Sequence, residues 1–214
     1  MLGTFVTGLL AGLAVAVPIG AVAVLLFDVA HRRGLRRAAA GGLGIASADG
    51  VFAALAVVLA GLVGDLLADW MGIANLIAAV TLIVVGALAI RAFVSPSTDP
   101  RHRDGIHDLS DSEARSGWRT FAVFLRAALL HPVTLVFYFA LTLSLGAGFD
   151  SWGAGVAFIF GVVVASASWH LMLAWIGSRR RELLSRRARL VLLVIDCCIV
   201  LGFVAVILTQ PATA

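Results

Sequence analysis

The sequence predicts an all-α polytopic membrane protein with six transmembrane helices, and three observations carry that prediction. Apolar residues make up 61% of the 214 residues and charged residues only 13%, against roughly 45–50% and about 25% in soluble domains. Six apolar segments, each long enough to cross a bilayer, fill most of the chain. Of the sixteen arginines, which stand without a single lysine, fifteen fall in or beside alternate loops between those segments. At about 20 residues per span plus short connections, this length leaves no room for a separate soluble domain.

The six segments run over residues 3–27, 38–63, 71–94, 120–146, 153–177 and 190–209. Backbone polar groups in lipid must be satisfied within the segment, so each reads as a helix. The first has no basic leader, since its first charge is Asp28 and its first arginine Arg32. It therefore reads as a retained span rather than a signal peptide. Arg32, Arg33, Arg36 and Arg37 follow span one, and Arg91, Arg101, Arg103, Arg115 and Arg119 flank the link between spans three and four. Arg179, Arg180, Arg181, Arg186, Arg187 and Arg189 fill the link between spans five and six, whereas the other loops carry only Asp65, Asp69 and Asp150. The positive-inside rule then makes the arginine-rich loops cytoplasmic and puts both termini outside. Trp70, Trp118 and Trp152 stand at span ends and Trp175 near one, the headgroup level that indole rings favour.

One polar stretch is long. Residues 95–118, rich in Asp, Ser, Pro and Arg, read as a cytoplasmic linker between a first half, 1–94, and a second half, 119–214. Three spans followed by three spans must enter the membrane from opposite sides. Pro18 and Pro132 lie near the middle of spans one and four, and Ala46-Ser47-Ala48-Asp49 in span two has its counterpart in Ala165-Ser166-Ala167-Ser168 of span five. The pattern is that of a 3+3 inverted repeat, in which transporters place their substrate site at the repeat interface. Small residues recur every four positions at Gly8, Gly12, Ala16 and Gly20, at Ala38, Gly42, Ala46 and Gly50, and at Gly153, Ala157, Gly161 and Ala165. Such stripes let helix backbones approach closely.

Few polar groups remain within the spans. Asp49 lies about eleven residues into span two, roughly 16 Å at 1.5 Å per residue, near the bilayer midplane. An aspartate there costs about 2.5–3.5 kcal/mol on insertion scales, so it is expected to face a cavity or a partner. His131 and Pro132 stand at similar depth in span four, and a proline there frees backbone carbonyls, as does Pro18 beside Gly20 in span one. Asp49, His131, Pro18, Gly20 and Pro132, with Ser166 and Ser168 behind them, form the expected site for substrate and coupling proton. His170 joins the serines as a polar neighbour on span five. Arg126, within span four, shares its level with Asp196 of span six and with Asp28 at the end of span one. These three read as a cytoplasmic gate or a structural ion pair.

The stretch from Pro18, PIGAVAVLLFDVAHRRGLRRAAAGGLGIASADGVF, resembles the opening signature of the lysine-exporter (LysE/RhtB) family of bacterial amino-acid efflux transporters. Its features are a proline–glycine element at Pro18 and Gly20, a basic loop at Arg32–Arg37, and a glycine-rich second span through Gly41, Gly42 and Gly44 to Asp49. In span four, LLHPVTLVFYFA is similar to the family's Asn-Pro element with its aliphatic and aromatic continuation. The layout agrees over essentially the whole chain. Two positions depart from it: Ala21 where many members have a second proline, and His131 where many have asparagine. The resemblance implies a secondary exporter of amino acids or similar small metabolites across the bacterial inner membrane, exchanging for protons by alternating access. The His131 departure alters a polar side chain at the expected site, so no named amino acid is carried over.

A divalent metal-ion exporter of nickel or cadmium type is the alternative, motivated by His102 and His107 among the linker aspartates and by His131 and His170. Two histidines five apart in a mixed-charge linker lack the fixed geometry a metal site needs, and no metal site is assigned from them. Cys197 and Cys198 are adjacent, which rules out a thiol relay between facing helices. No phosphate loop, zincin motif or nucleophile elbow is present, so neither an enzyme nor a cofactor is expected. The partners expected are a small-molecule substrate, protons and the lipid bilayer. Nucleic acid is not among them, because the arginines mark topology, and a homo-oligomer is left open.

Overall fold

The computed structural model describes residues 1–17, 21–67, 116–130, 132–144 and 151–179, together with ten isolated helical positions within 73–87 and 194–202. Six continuous helices are found among them: α1 (Leu2–Ala16), α2 (Ala21–Arg33), α3 (Leu35–Leu67), α4 (Gly117–Leu129), α5 (Pro132–Ser144) and α6 (Trp152–Arg179). Spans two and five are therefore the long helices α3 and α6. Residues 35–62 of the first and all of the second are long and apolar enough to cross a membrane. Span one is divided between α1 and α2, and span four between α4 and α5.

The division of span four has a local cause. Leu130 leaves the helical region (φ −77°, ψ 2°) while its N–H still bonds the Arg126 carbonyl at 3.0 Å. Two residues later Pro132 opens α5, a position where its missing N–H is one the helix could not have used. Sequence periodicity puts Pro132 inside one continuous span; the chain instead ends one helix and starts another. Side-chain caps fix two other starts. Ser116 accepts the Arg119 N–H at 3.3 Å before α4, and Ser151 accepts the Ala154 N–H at 3.3 Å before α6.

A single residue, Gly34, joins α2 to α3. Its φ of +82° is the left-handed conformation that glycine adopts without strain, and its N–H closes α2 on the Ala30 carbonyl at 3.1 Å. A Cβ there would meet nothing within 4 Å, so only backbone strain opposes one. Gly34→Ala should cost about 1–2 kcal/mol, read as a lowered unfolding temperature in detergent. An unchanged midpoint would show that this turn adopts another conformation in the membrane.

Close contacts show how the helices run. Gly8 meets the Phe158 carbonyl, and a Cβ on Gly12 would lie 2.7 Å from the Val162 carbonyl, so α1 lies parallel to α6. α2 continues along the same helix, with Gly177 against Phe27 and Ala30. Gly44 meets the Phe121 carbonyl and the Leu125 N, and Gly117 faces Ala40, so α4 lies parallel to α3. α5 continues along α3, packing Phe137, Tyr138 and Leu141 with Phe52, Ala53 and Ala56. Gly42 opposite His170 and Gly50 opposite Val163 make α3 and α6 antiparallel. One contact is made twice: Gly161 meets Phe5 and Leu9 of α1 as Gly44 meets Phe121 and Leu125 of α4.

This arrangement brings Arg32, Arg33, Arg36, Arg37, Arg119 and Arg179 to one end of the bundle, where α2 turns into α3, α4 begins and α6 ends. Trp175 lies under the Arg179 guanidinium at 4.8 Å near the same end. Apart from the buried Ile45 and Phe52, α3 sorts its apolar residues by size. α3 buries Ala38, Ala46, Ala48, Ala53, Ala56 and Ala60 and exposes Leu43, Val51, Leu55, Val58 and Leu62. Small residues inside and large apolar ones outside are what a bilayer favours, because lipid solvates the large side chains and close backbone packing holds the helices together.

Candidate functional site

Two apolar clusters fill the bundle. One joins Ala11, Ala14, Phe52, Ala53, Tyr138, Phe158 and Val162, and the other, nearer the arginine end, joins Ala23, Leu26, Ile45, Phe124, Leu173 and Ala174. On α3, Ile45 belongs to one cluster and Phe52 to the other; on α6, Val162 and Leu173 divide in the same way. Asp49, Ser166 and His170 occupy the turns between, a polar layer at the level where α1 gives way to α2.

Asp49 is only 4% exposed. Its carboxylate oxygen Oδ2 accepts a 2.5 Å hydrogen bond from Ser166 Oγ, which is fully buried on α6. One helical turn further, His170 Nδ1 stands 2.8 Å from the Ser166 carbonyl and 3.3 Å from Ser166 Oγ. A carbonyl can only accept, so Nδ1 carries the hydrogen and donates it. The layer thus holds an acid, a hydroxyl and an imidazole. Such a group can bind an ammonium or a proton and release it again. Ser166→Ala leaves Oδ2 without its donor and should lower stability by about 1–3 kcal/mol. Thermal unfolding of the purified protein reads this, and an unshifted midpoint would mean that the bond contributes nothing to the fold.

The structure joins some of the expected site residues and separates others. Asp49 and Ser166 meet directly. Ser168, two residues on, is exposed and donates to the Val164 carbonyl of its own helix at 2.7 Å. Asp28 is held by Arg32 at 2.8 Å, one turn along α2, and Arg126 is exposed on α4. Pro132 begins α5. Pro18, Gly20, His131 and Asp196 lie outside the described residues, as do His102 and His107 of the linker.

One residue not anticipated from the sequence stands out. Tyr138 on α5 is fully buried, and its hydroxyl has no hydrogen-bond partner. It packs in the cluster that holds Phe52 and Ala53, about one turn of α3 from Asp49. An unsatisfied buried hydroxyl costs about 1–3 kcal/mol. Its one signal in the sequence is that it is the single tyrosine beside twelve phenylalanines. Trp169 Nε1, packed against the other cluster, is a second buried donor without a partner.

Comparison with known families gives a match to the model described as LysE type translocator, over residues 13–210. No curated protein and no solved structure matched the chain. The matched span takes in the polar layer, the end of α1, all of α2 to α6 and the arginine end of the bundle. The chain therefore belongs to the LysE type translocator family, membrane transporters that export small molecules.

Proposed function

We propose that the protein is a secondary active exporter of amino acids or similar small metabolites across the bacterial inner membrane. It exchanges its substrate for protons by alternating access. The observation that carries this reading is Asp49, an acid buried at mid-helix and held by a neutral serine of the facing helix. An unpaired acid at that depth can hold either a substrate ammonium or a proton, which makes the two compete for one site. The proton leaves Asp49 as the substrate binds from the cytoplasm and returns from outside once the substrate departs.

The fold supports the cycle. The contact of Gly44 with α4 reappears as that of Gly161 with α1. The two glycines are 117 residues apart, the separation of Asp49 and Ser166. An inverted repeat in that register makes Asp49 and Ser166 equivalent residues facing each other across the pseudo-two-fold axis. It shifts the sequence pairing of Asp49 with Ser168 by two positions. Each divided span then lies along a continuous one, the arrangement in which one repeat rocks against the other about a central site. The gathered arginines support a cytoplasmic placement for their end and an outside placement for both termini.

Metabolite profiling of the medium from a deletion strain and an overexpressing strain tests the reading. A set of amino acids or related amines should rise with expression and fall on deletion. Efflux of the same compounds from proteoliposomes should follow an imposed pH gradient. Unchanged metabolites, with nickel or cadmium sensitivity on deletion, would establish the metal-exporter alternative instead.

A further inference from the structure

We infer that Tyr138 is a substrate-recognition residue, whose hydroxyl donates to the carboxylate of an α-amino acid while Asp49 holds the ammonium group. This rests on the reading of Asp49 as the substrate site and deepens it by assigning the other end of the substrate. The chain carries twelve phenylalanines and a single tyrosine. That one phenol is fully buried with its hydroxyl unpartnered.

The ring is not loosely placed. It stands edge-on to Phe137 at 5.8 Å and packs among Phe52 and Ala53 of α3 and Phe158 and Val162 of α6. Phe52 and Ala53 are about one turn beyond Asp49, and Val162 is one turn before Ser166. The phenol therefore borders the polar layer from the side away from the arginine end. A phenylalanine would pack there without leaving a donor unsatisfied. The hydroxyl gains its partner when a molecule carrying an acceptor occupies the layer. Tyr138 donates and Asp49 accepts, so the two are complementary to a zwitterion: the acid takes –NH3⁺ and the phenol takes –COO⁻.

The test uses the purified full-length protein with two probe sets, the twenty L-amino acids and the amines that lack their α-carboxylate, such as L-lysine against cadaverine. Binding is measured by thermal shift and calorimetry. The wild type should bind at least one amino acid and prefer it to the matching amine. Tyr138→Phe should remain folded with an equal or higher unfolding temperature and bind the amine as the wild type does. It should bind the amino acid about ten- to a hundred-fold more weakly. Tyr138→Phe binding the amino acid as tightly as the wild type overturns the assignment and leaves the export reading standing. A wild type that does not distinguish amino acid from amine overturns it too, with no substitution needed. A wild type that binds none of the probes removes the amino-acid reading of the site and this inference together.

Discussion

Asp49→Asn should reduce export by about 100-fold or more while the protein still folds and inserts. The size follows from leaving a bound ammonium without its counter-charge, a loss of about 3 kcal/mol or more. The fold should survive because asparagine keeps the volume of aspartate and its amide oxygen can still accept from Ser166 Oγ, now 2.5 Å from the carboxylate. Asp49→Glu keeps the charge but moves it by one methylene in a buried layer, and should retain partial export. Initial efflux rates from proteoliposomes, matched for the amount of folded protein, make the comparison. Efflux at the wild-type rate from Asp49→Asn would end the proposed mechanism. Equal loss in both variants would show that geometry and charge are equally stringent.

A leucine at Gly161 should prevent accumulation of the folded protein. The Cβ alone would meet the Phe5 carbonyl and lie 2.9 Å from the Leu9 N, both backbone atoms of α1. A side-chain clash can be relieved by a rotamer change, but a backbone clash separates α1 from α6 along the whole seam. Overpacking in cores costs about 1–3 kcal/mol where side chains can yield, so the loss here should exceed that range. Gly8→Leu, against the Phe158 carbonyl, should behave in the same way. Gly3→Leu and Gly61→Leu, which meet nothing within 4 Å, should be neutral. Monodispersity and yield after detergent extraction distinguish the two groups. Normal yield of Gly161→Leu would show that α1 and α6 are not held by this contact.

The site was partly legible. Asp49 is visible in the sequence because an acid amid twenty apolar residues is improbable unless something holds it. Ser166 and Ser168 looked alike, since both lie in the same turn of span five. On a helix two positions are about 200° apart, so one serine faces Asp49 and the other faces outward. Periodicity defines such faces but does not say which one meets a neighbour. Tyr138 was hidden for another reason. Inside a phenylalanine-rich run an aromatic residue reads as core, and only knowing that its hydroxyl lacks a partner makes it a candidate for recognition.

Composition and arginine spacing mark a membrane protein, and the proline–glycine element at Pro18 and Gly20 with the glycine-rich second span to Asp49 carry the resemblance to the LysE family that the family match bears out. They act locally or as averages along the chain, so no contact need be known to read them. The tertiary structure alone decided that α4 follows α3 while α1 follows α6, and that Asp49 meets Ser166 117 residues away. Those outcomes depend on which backbone can approach which. That is set by glycines such as Gly44 and Gly161, whose missing side chains matter only where another helix comes to occupy the space.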